Sequence, residues 1–160
     1  MEANKTSKSI GGVAQAVLHF PTAVRPVDWQ VGTTSVKVAF DDAGIAPVLK
    51  DYASTFDESL SVERGLVAVS HTLTLVMRRR DSLLWLEAEQ IRRLAEQGIV
   101  AEVVLSDGRR LLAGWSERFA TKQPLKLTSL VSRSGKTPAD EPTVTMVLTA
   151  TDTAFALPTI

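Results

Sequence analysis

Histidine, the side chain that most often performs acid–base and metal chemistry near neutral pH, occurs only twice in this sequence. His19 and His71 lie far apart along the chain, and each is flanked by apolar residues. His71 falls among alternating apolar positions, so we interpret it as a buried, hydrogen-bonded histidine in preference to a ligand or a general base. The sequence therefore offers little material for acid–base catalysis.

Other patterns that could carry chemistry are incomplete. Residues 134–137 read Ser-Gly-Lys-Thr, but the first glycine of a phosphate-binding loop would fall on Leu130, and Pro138 follows at once. The adjacent acids Asp41 and Asp42 lack the spaced oxygen ligands of a calcium loop. Cysteine is absent, which excludes thiolate metal sites and cysteine nucleophiles. We expect a protein that is not an enzyme and that needs no metal or cofactor.

Length and charge narrow the class of protein further. A chain of 160 residues predicts one domain, which we place at residues 13–160 behind a polar N-terminal arm at 1–12. Eighteen bases balance eighteen acids, which argues against a general nucleic-acid binder. No apolar run approaches the ~20 residues of a membrane span, and the N-terminus lacks the apolar core of a signal peptide. We expect a soluble protein without a membrane anchor, made in the cytosol.

Most of the chain shows the alternation of β-strands. The clearest example is 66–77, in which apolar residues occupy one face and small or hydroxyl residues much of the other. Asp107-Gly108 between two apolar runs is a strong hairpin signal. The predicted strands are 13–20, 34–40, 66–77, 100–105, 110–115, 126–133 and 143–151.

One segment has the period of a helix. Apolar residues form a stripe along 82–97, Glu89 and Arg93 make a favourable pair four residues apart, and Gly98 suits the C-terminal cap. A single helix cannot supply the crossovers of a parallel sheet. The predicted fold is mainly β with one α-helix, an antiparallel β-sandwich or barrel with the helix packed at its side.

Two segments have opposite charge. Residues 41–63 contain six acids and one base, and we interpret them as a long acidic connection with room for a short strand at its start or end. Residues 122–136 contain four bases and no acid. Complementary patches of this kind favour head-to-tail self-association, although two unrelated solvated faces explain the charges equally well.

From Ser70 to Asp152, about half of the chain, the sequence resembles the phage tail-tube protein family, whose fold is shared with the tube proteins of contractile injection systems. The resemblance rests on the strand HTLTLVM, the helix of about four turns, the hairpin VAEVVLSDGRRLLAGWSERF with its Gly114-Trp115 pair, and the strand PTVTMVLTATD.

The resemblance implies a structural protein of the virion tail, synthesised in the host bacterial cytoplasm. In that family subunits form rings, usually sixfold, whose inner sheets close into one barrel. The resemblance implies that the rings stack through the N-terminal arm, the long 41–63 connection and the C-terminus. It also implies contacts with other tail proteins and passage of DNA without specific binding, so a neutral or acidic wall is expected. The expected assembly contacts are Lys5, Lys8, Asp51, Asp57, Glu58, Glu63, Lys122 and Lys126.

Two other functions are compatible with the same residues. A terminator or baseplate ring of a phage tail is also a structural protein and would assemble through similar interactions. A small β-barrel that binds an apolar ligand would need a pocket, for which the candidate aromatic residues are Trp29, Trp85, Trp115 and Phe119. Such aromatic side chains more often belong to the core.

Overall fold

The structure is a computed structural model that describes residues 11–25, 28–29, 35–50, 53–78, 88–116, 120–139, 141–152 and 155–159. In chain order its strands are β1 (Val13–His19), β2 (Asp28–Trp29), β3 (Val36–Lys37), β4 (Thr55–Glu63), β5 (Leu66–Arg78), β6 (Val100–Leu105), β7 (Arg110–Ala113), β8 (Lys126–Arg133), β9 (Thr143–Asp152) and β10 (Leu157–Pro158). The helix α1 spans Ala88–Glu96 between β5 and β6.

Four long strands form the main sheet, in the order β4-β5-β9-β8 with every neighbouring pair antiparallel. β4 and β5 are joined by a tight turn at Arg64-Gly65, where both residues have positive φ. β9 pairs with β5 only from Val69 onward, so the start of β5 extends beyond β9. The β4–β5 hairpin therefore projects past the end of the sheet.

A second sheet, in the order β1-β6-β7-β10, packs against one face of the main sheet. The core between the sheets is aliphatic: Leu73, Leu75 and Met77 of β5 share it with Val103 of β6 and with Leu94 of α1. The two sheets do not close into a barrel, so the expected mainly β, one-helix fold is confirmed in its sandwich form.

The second sheet is also covered on its other face. A smaller core contains Val36, Val100 and Leu112, with Trp115 and Phe40 packed against it. The second sheet is thus partly covered on this face as well, although Arg110 of β7 remains exposed. Only the main sheet has a face that no other described element covers.

Two predicted segments differ from the structure. The segment 41–63 is not a continuous connection, because its last nine residues form β4, an edge strand whose mostly exposed residues obscure the alternation. Within the described residues 35–40, the predicted strand 34–40 keeps only the two residues of β3. Phe40 forms a separate bridge with Val24 and stacks on the His19 ring, which draws the chain away from the sheet.

The described part of the helix ends as predicted. The N–H of Gly98, at φ +76°, donates to the carbonyl of Arg93, which closes the last turn. The expected pair of Glu89 with Arg93 is wrong: Glu89 binds Arg92 instead, and the Arg93 guanidinium lies over the ring of Phe20. The predicted helical residues 82–87 lie outside the described residues.

In the part of the chain that the structure describes, no helix has the length and apolar character needed to cross a membrane.

Candidate assembly surface

The uncovered face of the main sheet, here called the open face, is rich in hydroxyl groups and poor in charge. Side chains of β5 alternate between the core and this face, so that Leu73 and Leu75 are buried while Thr72 and Thr74 point away from the core. By register the open face comprises Thr55, Asp57, Ser59, Ser61 and Glu63 of β4, Leu66, Ala68, Ser70, Thr72, Thr74, Val76 and Arg78 of β5, Thr143, Thr145, Val147, Thr149 and Thr151 of β9, and Lys126, Ser129, Val131 and Arg133 of β8.

The charges of the open face are concentrated on its edge strands. The two central strands contribute only serine, threonine and valine between Ser70 and Val76 and between Thr143 and Thr151. Arg78, where β5 ends, pairs with Glu141, with Nε 2.9 Å from Oε1. The middle of the face is therefore an uncharged hydroxyl surface.

The two edges of the main sheet carry opposite charge. β4 has three acids and no base, whereas β8 has Lys126 and Arg133 and no acid. Within the described residues β4 pairs only with β5, and β8 only with β9. Strands at the edge of a sheet can pair with a further strand of another chain.

Four of the expected contact residues lie on or beside these edges. Asp57 and Glu63 are exposed on the open face of β4, and Lys126 is exposed at the start of β8. Lys122 is exposed in the loop that leads into β8. The sequence prediction of complementary patches thus falls on opposite edges of one sheet, which periodicity alone did not reveal. Lys5, Lys8 and Asp51 lie outside the described residues.

Glu58 contacts other residues of its own subunit. Its side chain faces the core side of β4, where Oε2 lies 3.3 Å from Nδ1 of the buried His71. The same oxygen accepts a hydrogen bond of 2.7 Å from the backbone N–H of Ala156. Glu58 therefore fastens the C-terminal segment 155–159 to the edge strand.

His19 is held between two carboxylates. Its Nδ1 lies 2.5 Å from Oδ1 of Asp42, and its Nε2 lies 3.8 Å from Oε1 of Glu102. The ring is buried and stacks on Phe40 at a centroid distance of 3.6 Å. This arrangement ties the 40–45 loop to β1 and β6.

Sequence reasoning missed the carboxylate partners of both histidines, because each partner lies more than ten residues away along the chain. The interpretation of His71 as a buried core residue is confirmed, since its side chain is 4% exposed. For the aromatic candidates, Trp115 packs against the smaller core. Trp85 and Phe119, and the side chain of Trp29, lie outside what the structure describes.

Comparison with protein-family models, with curated proteins and with solved structures finds no match to this chain.

Proposed function

We propose that this chain is a structural subunit that assembles with its own copies through the edges of the main sheet, forming rings that stack into a phage tail tube. The observation that carries the proposal is the opposite charge of β4 and β8 on either side of an uncharged, uncovered face. Exposed strand edges are a hazard for a monomer and become paired in an assembly.

The number of strands suits a closed ring. In a sheet of four antiparallel strands the two edge strands run in opposite directions. Rotation about a ring axis preserves strand direction, so β8 of one subunit meets β4 of the next in antiparallel orientation. The continuous sheet is then antiparallel throughout, whatever the number of subunits.

The stagger of the strands also suits a barrel. β4 lies opposite Leu66–Thr74 of β5, whereas β8, through β9, lies opposite Thr72–Arg78. The register that keeps open-face residues opposite one another displaces each subunit by four residues, or ~13 Å, over a width of ~19 Å. That displacement corresponds to a strand tilt of about 35°, within the range of known barrels.

A matched register brings the charges together. When open-face residues are placed opposite one another, Asp57 faces Val131 of the neighbour and lies diagonally from Arg133. Glu63, at the other end of β4, comes close to Lys126. Each subunit boundary would contain two acids and two bases on the open face, so the bases of β8 would be neutralised rather than left to bind phosphates.

The open face would line the conduit, because the opposite face of the main sheet is covered by the second sheet. With the six subunits that the family resemblance implies, the barrel would have about 24 strands and measure ~45 Å between opposing backbones. Such a lumen admits a DNA duplex. Arg78 of this wall pairs with Glu141, and the bases of β8 would pair with the acids of the next subunit, so the remaining hydroxyl surface would not hold the passing polyanion.

A terminator or baseplate ring would use the same edges but would not stack into tubes. A monomer with an apolar ligand has less support, since Trp115 is occupied in packing against Val100 and Leu112.

Light scattering after size-exclusion chromatography, followed by negative-stain microscopy, tests the proposal. We expect a mass that is a multiple of the subunit mass, with rings or tubes in the images. Compact monomers at high protein concentration would contradict the proposal. A variant lacking residues 1–10 tests the arm separately. It keeps Gly12, whose carbonyl accepts a hydrogen bond from the N–H of Ser106. A loss of stacking in that variant is therefore assigned to the deleted residues.

A further inference from the structure

We infer that a strap, defined as residues 40–50 and 53–54, closes the outer edge of β1 and thereby confines self-pairing of this chain to the edges of the main sheet. Only the second part, the confinement to the main sheet, rests on the proposed function. In the order β1-β6-β7-β10, β1 is an edge strand whose inner side pairs with β6. Its outer side is where a strand of another chain would add to the second sheet.

The strap is bonded to the outer side of β1 through the backbone at two points. The N–H of Leu18 donates to the carbonyl of Ile45, and the N–H of Ile45 donates to the carbonyl of Leu18, each at 2.8 Å. At the other end of β1 the N–H of Val13 donates to the carbonyl of Ser54 at 2.9 Å. Because both ends of this edge are paired within the subunit, a further strand cannot add along it while the strap is in place.

The strap is also bonded to the main sheet. The N–H of Lys50 donates to the carbonyl of Val76 at 2.8 Å, and the N–H of Val76 donates to Oγ of Ser54 at 2.9 Å. Ile45 and Leu49 pack against the core between the sheets. The strap therefore joins the edge of the second sheet to β5 and covers this side of the sandwich.

His19 and Asp42 form the latch that holds the strap at its first point of attachment. Oδ1 of Asp42 lies 2.5 Å from Nδ1 of His19, whose side chain is 5% exposed. Phe40 stacks on the same ring. A Cβ on Gly44 would lie 2.7 Å from Cε1 of His19, so the strap backbone packs directly on the ring. We expect loss of the Asp42 contact to free the neighbouring Ile45 pair first.

The other edge of the second sheet is protected in a different way. That edge is β10, which has two residues and contains Pro158, and proline has no N–H to donate to a further strand. β1 contains no lysine, proline or acid, so its own sequence does not blunt the edge. The strap supplies the protection that β1 lacks. Among the described strands, β4 and β8 then remain as the long edges open to pairing.

The partner of a released β1 is a second copy of the same strand. β1 has no acid or lysine that would repel an identical strand, and two copies can pair antiparallel about a twofold axis. Such a dimer is closed and differs from a ring, in which β4 would meet β8. Release of the strap is therefore expected to produce dimers.

Asp42→Ala tests the latch in a chain that also carries Lys126→Glu and Arg133→Glu, which suppress pairing through the main sheet. We expect the protection of the N–H groups of Leu18 and Ile45 against hydrogen exchange to fall roughly tenfold or more. Retained protection at Leu73 shows that the core stays folded. Light scattering should detect dimers at concentrations where the chain with Asp42 intact is monomeric.

Two matched variants separate the latch from general effects. Asp41→Ala removes the neighbouring acid, which pairs with the exposed Arg25, and should change neither exchange nor mass. Gln15→Lys, added to Asp42→Ala, places like charges on the exposed side of the two β1 strands. It should return the protein to the monomer while exchange at Leu18 stays fast.

An isosteric variant covers the case in which Asp42→Ala does not fold. Asp42→Asn with Glu102→Gln keeps the shape of both carboxylates that face His19 and removes their charges. The same changes in exchange and mass are expected, with smaller amplitude.

Unchanged protection at Leu18 in a folded latch variant would overturn the inference, as would faster exchange without dimers. Dimers that persist with Gln15→Lys would also overturn it, by locating the contact away from β1. These measurements do not depend on ring formation. A parent protein that forms no rings would overturn the proposed function, while faster exchange and dimers in the latch variant would still establish the strap.

Discussion

Glu58 and His71 are direct register partners on β4 and β5, and the carboxylate Oε2 of the first lies 3.3 Å from Nδ1 of the second. The same oxygen accepts the N–H of Ala156. A buried histidine, an edge strand and the C-terminal segment are thus joined through one carboxylate.

The first prediction concerns this carboxylate. Glu58→Ala removes the acceptor of a part-buried N–H, so we expect the free energy of unfolding to fall by about 1–3 kcal/mol. Hydrogen exchange at residues 156–159 should accelerate. Glu58→Gln keeps an acceptor oxygen and should retain most of the protection. Asp57→Ala, one residue away but exposed, is the control, and equal effects of the two alanine variants would contradict the assignment.

The second prediction compares two glycines with nearly the same backbone. Gly44 and Gly65 have φ of +74° and +77°, but a Cβ on Gly44 would lie 2.7 Å from Cε1 of His19, whereas a Cβ on Gly65 meets nothing within 4 Å. Gly65→Ala should cost about 1–2 kcal/mol from backbone strain alone. Gly44→Ala should cost a further 1–3 kcal/mol, roughly, from overpacking. Denaturant unfolding measures both, and equal losses would show that His19 and the 40–45 loop are not tightly packed.

The third prediction concerns pH and the 106–109 turn. Hydrogen bonds from the backbone N–H of Arg109, and then from its side chain, hold the pKa of Asp107 below its usual value. The ionised form is favoured in the folded state, so its contribution to stability is present above the usual pKa of ~3.9 and is lost as pH falls through the lowered value.

Asp107→Asn should therefore destabilise the protein at pH 7 and have progressively less effect as the pH falls below about 4. Thermal unfolding of both proteins across this range gives the comparison. A difference in melting temperature that stays constant with pH would show that the carboxylate charge contributes nothing to the turn.

The fourth prediction concerns the charges of the sheet edges. Lys126→Glu with Arg133→Glu places like charges across every proposed subunit boundary, so the concentration needed for assembly should rise roughly tenfold or more. Adding Asp57→Lys and Glu63→Lys to the same chain exchanges the signs and should restore assembly. Light scattering at low ionic strength is the readout, because salt screens such pairs.

Arg110→Glu, an exposed charge reversal on β7 of the second sheet, is the matched control for that experiment. It should leave assembly unchanged. If the variant with all four charges exchanged does not regain the assembly that the Lys126→Glu, Arg133→Glu variant loses, the edges do not pair in the proposed register.

The elements with strong local patterns could be predicted from the sequence. The alternation in 66–77, the turn at Asp107-Gly108 and the cap at Gly98 each have a local physical cause, and the structure confirms all three. β4 was largely missed because an edge strand with one half-covered face keeps Asp57 and Ser59 exposed, and its residues then look like a loop. β4 is recognised as a strand only from its antiparallel pairing with β5.

The candidate surface was predictable in its residues but not in its geometry. The opposite charges of 41–63 and 122–136 are visible in the sequence, whereas their position on two edges of one sheet depends on the strand order β4-β5-β9-β8. Similarly, no local pattern links His19 to Glu102 or His71 to Glu58, because cross-strand register decides which carboxylate meets which ring.

Oxidative cross-linking tests the central claim most directly, because the chain has no cysteine of its own. In the variant Asp57→Cys with Val131→Cys, the proposed register places the two sulfurs of neighbouring subunits within disulfide range. We expect oxidation to give a ladder of covalent multimers that ends at the ring size, while either single-cysteine variant stays monomeric on a denaturing gel. A folded double variant that remains monomeric after oxidation, at concentrations where the parent protein assembles, would contradict pairing of β4 with β8.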